Sequence, residues 1–426
     1  MKYLNKLITM RKFIIAIASL VLTASFSACS QKAAEVEKEQ TPLEYVESWG
    51  LGWNLGNSMD AHENGVSNET LWHDQAATQA TFDAVKAAGF GSVRIPVTWL
   101  GHIGEAPEYK LEEAWLNRVV EIAGYAKNAG LKAIVNIHHD GHADQGKADT
   151  YTWLDVEAAA ADSLKNEEIK AKLTAVWTQI ANAFKEEGDW LIFETLNEIH
   201  DGKWGGGGNQ TDGGKQYQVL NEWNQTCVDA IRSTGGMNET RYIGVPGYVC
   251  NPDLTINNLV LPQDKTPNRI LVAVHSYDPW DYAGSGKHSE WGHTGKDIVP
   301  DTDESTYTGM LDRLHDKYVK NGIPVYFGEF GCVHRTNEHA EAFRKYYLEY
   351  VCKAFRDHQM GAFFWDNGYD LEGDDAFGLM DHGNGKWIAN GEEIVKLMVN
   401  AYCSNDSTYT LQSIYDRAPA AEEISE

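Results

Sequence analysis

A repeated alternation constrains this chain more than any other feature. Short apolar runs rich in Val, Ile and Phe recur at Ser48–Leu55, Gly91–Val97, Leu131–Ile137, Trp190–Leu196, Tyr242–Pro246, Ile270–His275, Pro324–Gly328 and Gly361–Trp365. They are continuous rather than alternating, which is the pattern of strands covered on both faces. Between them, apolar residues recur at helical spacing in Gln75–Ala88, Glu112–Asn128, Ile169–Lys185, Tyr217–Arg232, Tyr307–Lys320 and Glu338–Phe355. Gly89, Gly130 and Gly322 stand where such helices stop. Strand–helix alternation implies a parallel sheet. Eight rounds predict an α/β fold, a single-domain (β/α)8 TIM barrel, for which roughly 250 residues suffice. The link between the fifth and sixth runs is short and holds no obvious long helix. Gly205–Gly208 reads as an insertion in the loop after the fourth strand, and no Pro/Ser linker or long-period repeat marks a second domain.

The N-terminus has a different character. Lys2, Lys6, Arg11 and Lys12 precede an apolar run, Phe13–Ala24, and then small residues before Cys29. That is the layout of a signal peptide over residues 1–28, and the run is too short for a comfortable membrane span. Ser27-Ala28-Cys29 resembles a bacterial lipobox, with Phe26 where Leu is usual. The expectation is an exported lipoprotein, lipidated at Cys29 and anchored at the outer membrane, the cell surface or the periplasmic face. Residues 29–42 would be its tether, 43–403 the barrel, and 404–426 a loosely packed polar tail. Five further cysteines, Cys227, Cys250, Cys332, Cys352 and Cys403, are odd in number and widely spaced. A zinc knot is therefore not expected; one disulfide or five buried thiols both remain open. A net charge of −26 argues against nucleic acid as a partner, since phosphate neutralisation needs Lys and Arg. It suits a neutral substrate and a solvated, monomeric surface.

Catalytic groups in such barrels sit at the C-terminal ends of the strands, and polar residues gather at those ends here. The first run leads into Asn54 and Asn57, the second carries Arg94, and the third ends in His138-His139. Asn197-Glu198 closes the fourth, His275 and Tyr277 the sixth, Glu329 the seventh, and Trp365-Asp366 the eighth. Two carboxyl groups across a barrel mouth are what cleavage of a glycosidic bond requires: one gives a proton to the leaving oxygen, the other attacks the anomeric carbon or activates water. Glu198 and Glu329 meet that demand. Close carboxyls resist joint ionisation, and the proton is assigned to Glu198. Asn197 could bond a sugar hydroxyl, while Arg94 and Tyr277 could hold Glu329 ionised.

His138, His139 and His142 with Asp140 suggest a metal site instead. No H-E-x-x-H is present, and neighbouring strand residues face opposite ways, so no metal and no cofactor are expected. Gly205–Gly208 lacks the Lys-Ser/Thr of a phosphate loop, and no G-x-S-x-G elbow occurs.

The motifs Gly52-Trp53-Asn54-Leu55-Gly56-Asn57, Val93-Arg94-Ile95-Pro96-Val97-Thr98-Trp99, Asn136-Ile137-His138-His139 and Phe193-Glu194-Thr195-Leu196-Asn197-Glu198 resemble those of glycoside hydrolase family five. So do His275-Ser276-Tyr277, Gly328-Glu329-Phe330-Gly331 and Phe364-Trp365-Asp366-Asn367-Gly368. The resemblance runs from about Leu43 to Cys403. It implies a TIM barrel and a retaining double displacement without a cofactor, with Glu198 as acid/base and Glu329 as nucleophile. It implies supporting roles for Arg94, His138, Asn197, His275 and Tyr277, and a stacking floor at Trp365. Asn57 and His139 are candidates for sugar hydroxyls. The opening motif and the His-His pair look like the bacterial endo-β-1,4-glucanases, which act on cellulose, mixed-linkage glucan and xyloglucan. Ser58 and Ile199 stand where Thr and Pro are frequent, and the loop Asp201–Gly214 is longer and richer in Gly. Trp153, Trp204, Trp280 and Trp291 lie in rim loops, where they stack on sugar rings or pack. The competing readings are a β-mannanase or strict xyloglucanase, and a non-catalytic surface protein that binds glycan.

Overall fold

The computed structural model describes residues 40–73, 75–141, 151–368 and 375–421. Backbone contacts divide the chain into Met1–Thr41 and Pro42–Glu426, and the barrel lies wholly in the second unit. The expected signal segment 1–28, Cys29, most of the tether and His142 fall outside the described residues.

The eight expected strands all form: β1 (Gly52–Asn54), β2 (Ser92–Ile95), β3 (Lys132–Asn136), β4 (Leu191–Glu194), β5 (Ile243–Pro246), β6 (Ile270–Ser276), β7 (Val325–Phe330) and β8 (Gly361–Phe364). Each pairs in parallel with its neighbour in sequence, and β8 returns to β1, closing the barrel. A main helix follows each strand: α1 (Gln79–Ala87), α2 (Glu113–Asn128), α3 (Ser163–Ala183), α4 (Lys215–Ser233), α5 (Pro252–Asn258), α6 (Glu304–Lys317), α7 (Glu338–Asp357) and α8 (Gly391–Cys403), with short extra helices at Val156–Ala161 and Trp280–Ala283. Six of the strands are shorter than their apolar runs, while β6 and β7 each run on past the end of theirs, to Ser276 and Phe330. Ser48–Gly50, expected as strand, instead leaves a short helix, Pro42–Glu47. Tyr45 and Val46 of that helix and Trp49 after it are buried with Ile134, Ile192, Leu271, Tyr326 and Phe363 in the cluster that fills the lower barrel.

The unit without an obvious helix holds the seven-residue α5. It survives at that length because the Asn251 side chain caps Leu254 N–H and Pro252 opens its first turn. The segment after Cys403 is a correction to expectation. Residues 404–421 pack onto the barrel through a helix, Leu411–Tyr415, with Ile414 fully buried. Tyr415 stacks on His293 at 3.6 Å, and Arg417 pairs with Glu349 at 3.0 Å. All five cysteines of the barrel are unbridged; Cys403 alone is exposed. Among the described residues no helix is long and apolar enough to cross a membrane.

Candidate active site

Arg94 is the centre of the upper barrel. It rises from β2 between Val93 and Ile95 and is fully buried. A buried guanidinium must spend all its donors on acceptors, and this one does. Nε lies 3.1 and 3.2 Å from the two carboxylate oxygens of Glu194, and Nη2 lies 2.7 Å from Glu194 Oε1. Nη1 donates to Glu329 Oε1 at 2.8 Å and to Asn54 Oδ1 at 3.1 Å. Nη2 also donates to Asn197 Oδ1 at 2.7 Å. With its oxygen so engaged, the Asn197 amide must present its N–H groups elsewhere. Burial works against Glu194 as an anion, but the charge and hydrogen bonds of Arg94 outweigh it and hold that carboxyl below its ordinary range.

Glu329 ends β7, and Glu198 lies just past β4. One carboxyl oxygen of each and a ring nitrogen of His275 lie within 4.8 Å of one another. His275 Nδ1 is 2.7 Å from Glu198 Oε1, and the Tyr277 hydroxyl donates to Glu329 Oε2 at 2.9 Å. Burial pushes the Glu329 carboxyl above its usual value. His275 and Arg94 pull it down, the carboxylate of Glu198 adds to the rise, and the Tyr277 hydrogen bond lowers it. Burial also keeps Tyr277 a phenol and lowers His275 to about 4, so that ring is neutral near pH 7. Glu198 sits in the left-handed backbone region at φ 36°, as do Val249 and Cys250 at 49° and 51°. These conformations cost energy in residues other than Gly. The two strained segments are tied together by Val249 N–H to Ile199 O at 3.0 Å. Gly328 is needed for a close approach: a Cβ there would lie 2.8 Å from His275 Nε2.

The sequence model of the cellulase family, glycosyl hydrolase family 5, matches residues 57–371. The chain belongs to this family. A Bacteroidetes-affiliated family 5 cellulase linked with a polysaccharide utilization locus superposes with a TM-score of 0.88 at 57% identity, over 91% of this chain and 99% of that one. The broad-specificity endoglucanase of Bacteroides salanitronis superposes at 0.82 with 54% identity, over 86% and 96%. Endoglucanase A of Paenibacillus barcinonensis is 34% identical across 397 residues, which cover 88% of this chain and 95% of that relative. The protein is therefore a glycoside hydrolase, and a polysaccharide fits as its substrate.

On the other side of this family 5 site, Trp365 lies parallel to His138, with ring centres 5.9 Å apart and planes within 6°. Trp365 is tucked against Val333, Ala376, Phe377 and Tyr277. His138 and His139 lie past the end of β3, so strand alternation does not separate them as expected. Their rings meet edge to face at 4.3 Å, and both come within 4.8 Å of an Asp60 oxygen. The metal reading fails on other grounds. Asn136 Oδ1 accepts from Val97 N–H at 3.0 Å, which fixes the amide, and Asn136 Nδ2 then points at His138 Nδ1 at 3.2 Å. That donor locks His138 with its proton on Nε2, where a metal would need a lone pair. Asp140, the acid of the alternative metal reading, instead anchors Trp99 N–H at 2.9 Å and Trp153 Nε1 at 2.7 Å.

The four rim tryptophans divide. Trp153 is held by Asp140, and Trp291 is packed among Tyr346, Tyr347 and Tyr350. Trp204 and Trp280 are 52% and 50% exposed, the first lying on His200 and the second edge-on to Tyr277. Asn57 adopts φ 57°, which Asn tolerates, and its N–H is held by Asp60 at 3.1 Å. The strand-end reading passes over Glu194 and Tyr326 inside the barrel, and Asp60, His62 and Trp72 in the loop after β1. His62 and Trp72 stand 5.4 and 5.9 Å from the His139 ring. The first two had a signal: each is a polar group inside a continuous apolar strand.

Proposed function

We propose that this chain is a retaining endo-β-1,4-glucanase in which Glu198 is the acid/base and Glu329 the nucleophile. The approach of the two carboxyls to within 4.8 Å carries the reading. Retaining enzymes hold the pair about 5–5.5 Å apart, whereas inverting ones leave roughly 6.5–9.5 Å for a water. The donors of Arg94 and Tyr277 gather on Glu329, which favours the negative charge there and the proton on Glu198. In the first step Glu329 attacks the anomeric carbon as Glu198 protonates the departing oxygen. In the second, Glu198 takes a proton from water, which then displaces Glu329. Asn197, oriented by Arg94, offers its amide N–H to the sugar's 2-hydroxyl. Trp365 supplies the floor beneath the sugar before the cut, and His138, Asn57 and His139 line the same side.

The substrates are unbranched or branched β-1,4-glucans: cellulose-like chains, mixed-linkage glucan and xyloglucan. The names of the relatives support endo-action on glucan, and the breadth of the Bacteroides salanitronis enzyme supports more than one polymer. Export and anchoring through Cys29 complete the reading, supported by the charged, apolar and small-residue layout before it.

The experiment is reducing-sugar release from barley β-glucan, xyloglucan, carboxymethylcellulose and glucomannan by the wild type, Glu198→Gln and Glu329→Gln. Cleavage by the wild type alone supports the pair. Full activity in either variant removes that residue from its role, and preference for glucomannan with cuts only after mannose makes the chain a mannanase.

A further inference from the structure

Beneath the reacting pair lies a third carboxyl group that the mechanism does not use. Glu194 comes from β4 and is 1% exposed. A lone buried carboxylate is costly, yet this one is fully partnered. Three contacts come from Arg94. Asn136 Nδ2 donates to Oε1 at 2.8 Å, and the Tyr326 hydroxyl donates to Oε2 at 2.7 Å. Other parts of the barrel make room for this arrangement. A Cβ on Gly244 would lie 2.1 Å from the Tyr326 hydroxyl, so Gly at that point of β5 is what lets the phenol reach Glu194.

We infer that Glu194 is a positioning residue for the reaction: it fixes the Arg94 fork and shares that arginine's charge with Glu329. The inference rests on Glu329 being the nucleophile. Arg94 bridges the two carboxylates, 2.7 Å from one and 2.8 Å from the other. Whatever charge it gives to Glu194 is not spent on Glu329. A nucleophile bound by an undivided guanidinium would be a weaker base and a poorer attacker. The fork also aims Asn197, so one ion pair orients two groups that touch the sugar. Around Glu329 the other titratable groups are Glu198, His138, His275, Tyr277 and Asp60, the last of which burial lifts to about 7. Around Glu194 they are Tyr326, His275 and Cys250, whose thiol burial keeps protonated. Both histidine rings are held neutral by burial, so Arg94 is the charge being divided.

The test is the pH profile of kcat/KM with dinitrophenyl cellobioside. Its leaving group needs no proton, so the acid limb reports the nucleophile. Glu194→Gln should move that limb down by about one pH unit, since one carboxylate no longer competes for Arg94. It should also lower the plateau by about tenfold or more as the fork loosens. Glu194→Asp keeps the charge, so its limb should stay in place while the rate falls. An even loss of rate with an unmoved limb in Glu194→Gln would reduce Glu194 to a prop of the fold and overturn the inference. If Glu194→Gln does not fold, Tyr326→Phe takes its place. Removing that hydroxyl makes Glu194 lean harder on Arg94, so the limb should move up, and an unmoved limb overturns the inference. Labelling the wild type with a fluorinated cellobiosyl fluoride separates the two failures. A label away from Glu329 sinks the mechanism; a label on Glu329 with an unmoved limb sinks only the role of Glu194.

Discussion

Tyr277→Phe should move the acid limb of activity upward. The Tyr277 hydroxyl donates to Glu329 Oε2 at 2.9 Å and stays protonated, because burial keeps its pKa well above the ordinary value. Its hydrogen bond favours the ionised form of Glu329. Such a bond to a charged group contributes about 1.5–3 kcal/mol, and one pKa unit corresponds to about 1.36 kcal/mol. Loss of the bond therefore raises the Glu329 pKa by about one to two units; the lower end applies if water enters the space. Burial already pushes this carboxyl up, so the change adds to an existing rise. As the proposed nucleophile, Glu329 would work ionised, and the limb should follow its pKa to higher pH. The assay is kcat/KM for dinitrophenyl cellobioside from about pH 4 to about pH 8. Above the limb the variant should keep much of its rate, unlike Glu329→Gln. A limb that stays in place or moves down would refute the assignment of Tyr277 as a donor to an ionised Glu329.

Gly328→Ala would place a Cβ 2.8 Å from His275 Nε2 and 3.4 Å from Arg94 Nε. The expected outcome is a loss of about 1–3 kcal/mol in a denaturant melt, as for other overpacked sites, with a tenfold or greater fall in kcat. Wild-type kcat would show that the ring has room to move. Trp204→Ala and Trp280→Ala remove half-exposed rings, so melting should be unchanged. KM for β-glucan should rise about two- to tenfold, the range a lost aromatic contact allows, while an aryl cellobioside is cut as before. Arg241 lies under the opposite end of the barrel and donates to the carbonyls of Phe184, Glu187, Gly188 and Leu191. Arg241→Leu leaves these groups unpaired and should cost about 3 kcal/mol or more by denaturant titration. The folded fraction should keep its kcat within about twofold, because the lower rim of such barrels governs stability rather than chemistry.

The fold was legible because a parallel barrel buries both faces of every strand, so each strand declares itself as an apolar run. Helix α5 was not, because seven residues held by a cap and a proline leave no periodic stripe. Ser48–Gly50 looked like strand because Trp49 is apolar, yet Trp49 is buried at the barrel floor as part of a turn. The tail after Cys403 reads as loosely packed by its polar composition, but Ile414 and Tyr415 dock its described part. At the candidate site the strand-end polar groups could be read directly, since one rim collects them. What the sequence hid was any pairing set by three-dimensional neighbours. Asp60 reaches His139 from a loop almost eighty positions earlier in the chain, with the closest atoms 3.7 Å apart. The expected separation of His138 from His139 failed for a local reason: the ladder stops at Asn136, so the alternation that would have split them no longer applies.

The charge at the barrel mouth makes one more outcome calculable. Glu194 is held ionised and Glu329 is the proposed anionic nucleophile, while Glu198 is the proposed proton holder and burial keeps His138, His139 and His275 neutral. Burial lifts Asp60 to about 7, so near neutral pH it adds only part of a charge. Arg94 balances only part of this, and the chain as a whole carries −26. A neutral glucan meets no penalty there, but a chain bearing carboxymethyl groups meets a negative field before it reaches the pair. Such repulsion outside the site is screened over about 10 Å at about 0.1 M salt and over about 3 Å at about 1 M. Adding salt should therefore raise kcat/KM on carboxymethylcellulose by several-fold and leave β-glucan of similar length nearly unaffected. Equal responses of the two polymers would mean that the field at the mouth does not reach the approaching substrate, and that the preference among polymers is set by contacts alone.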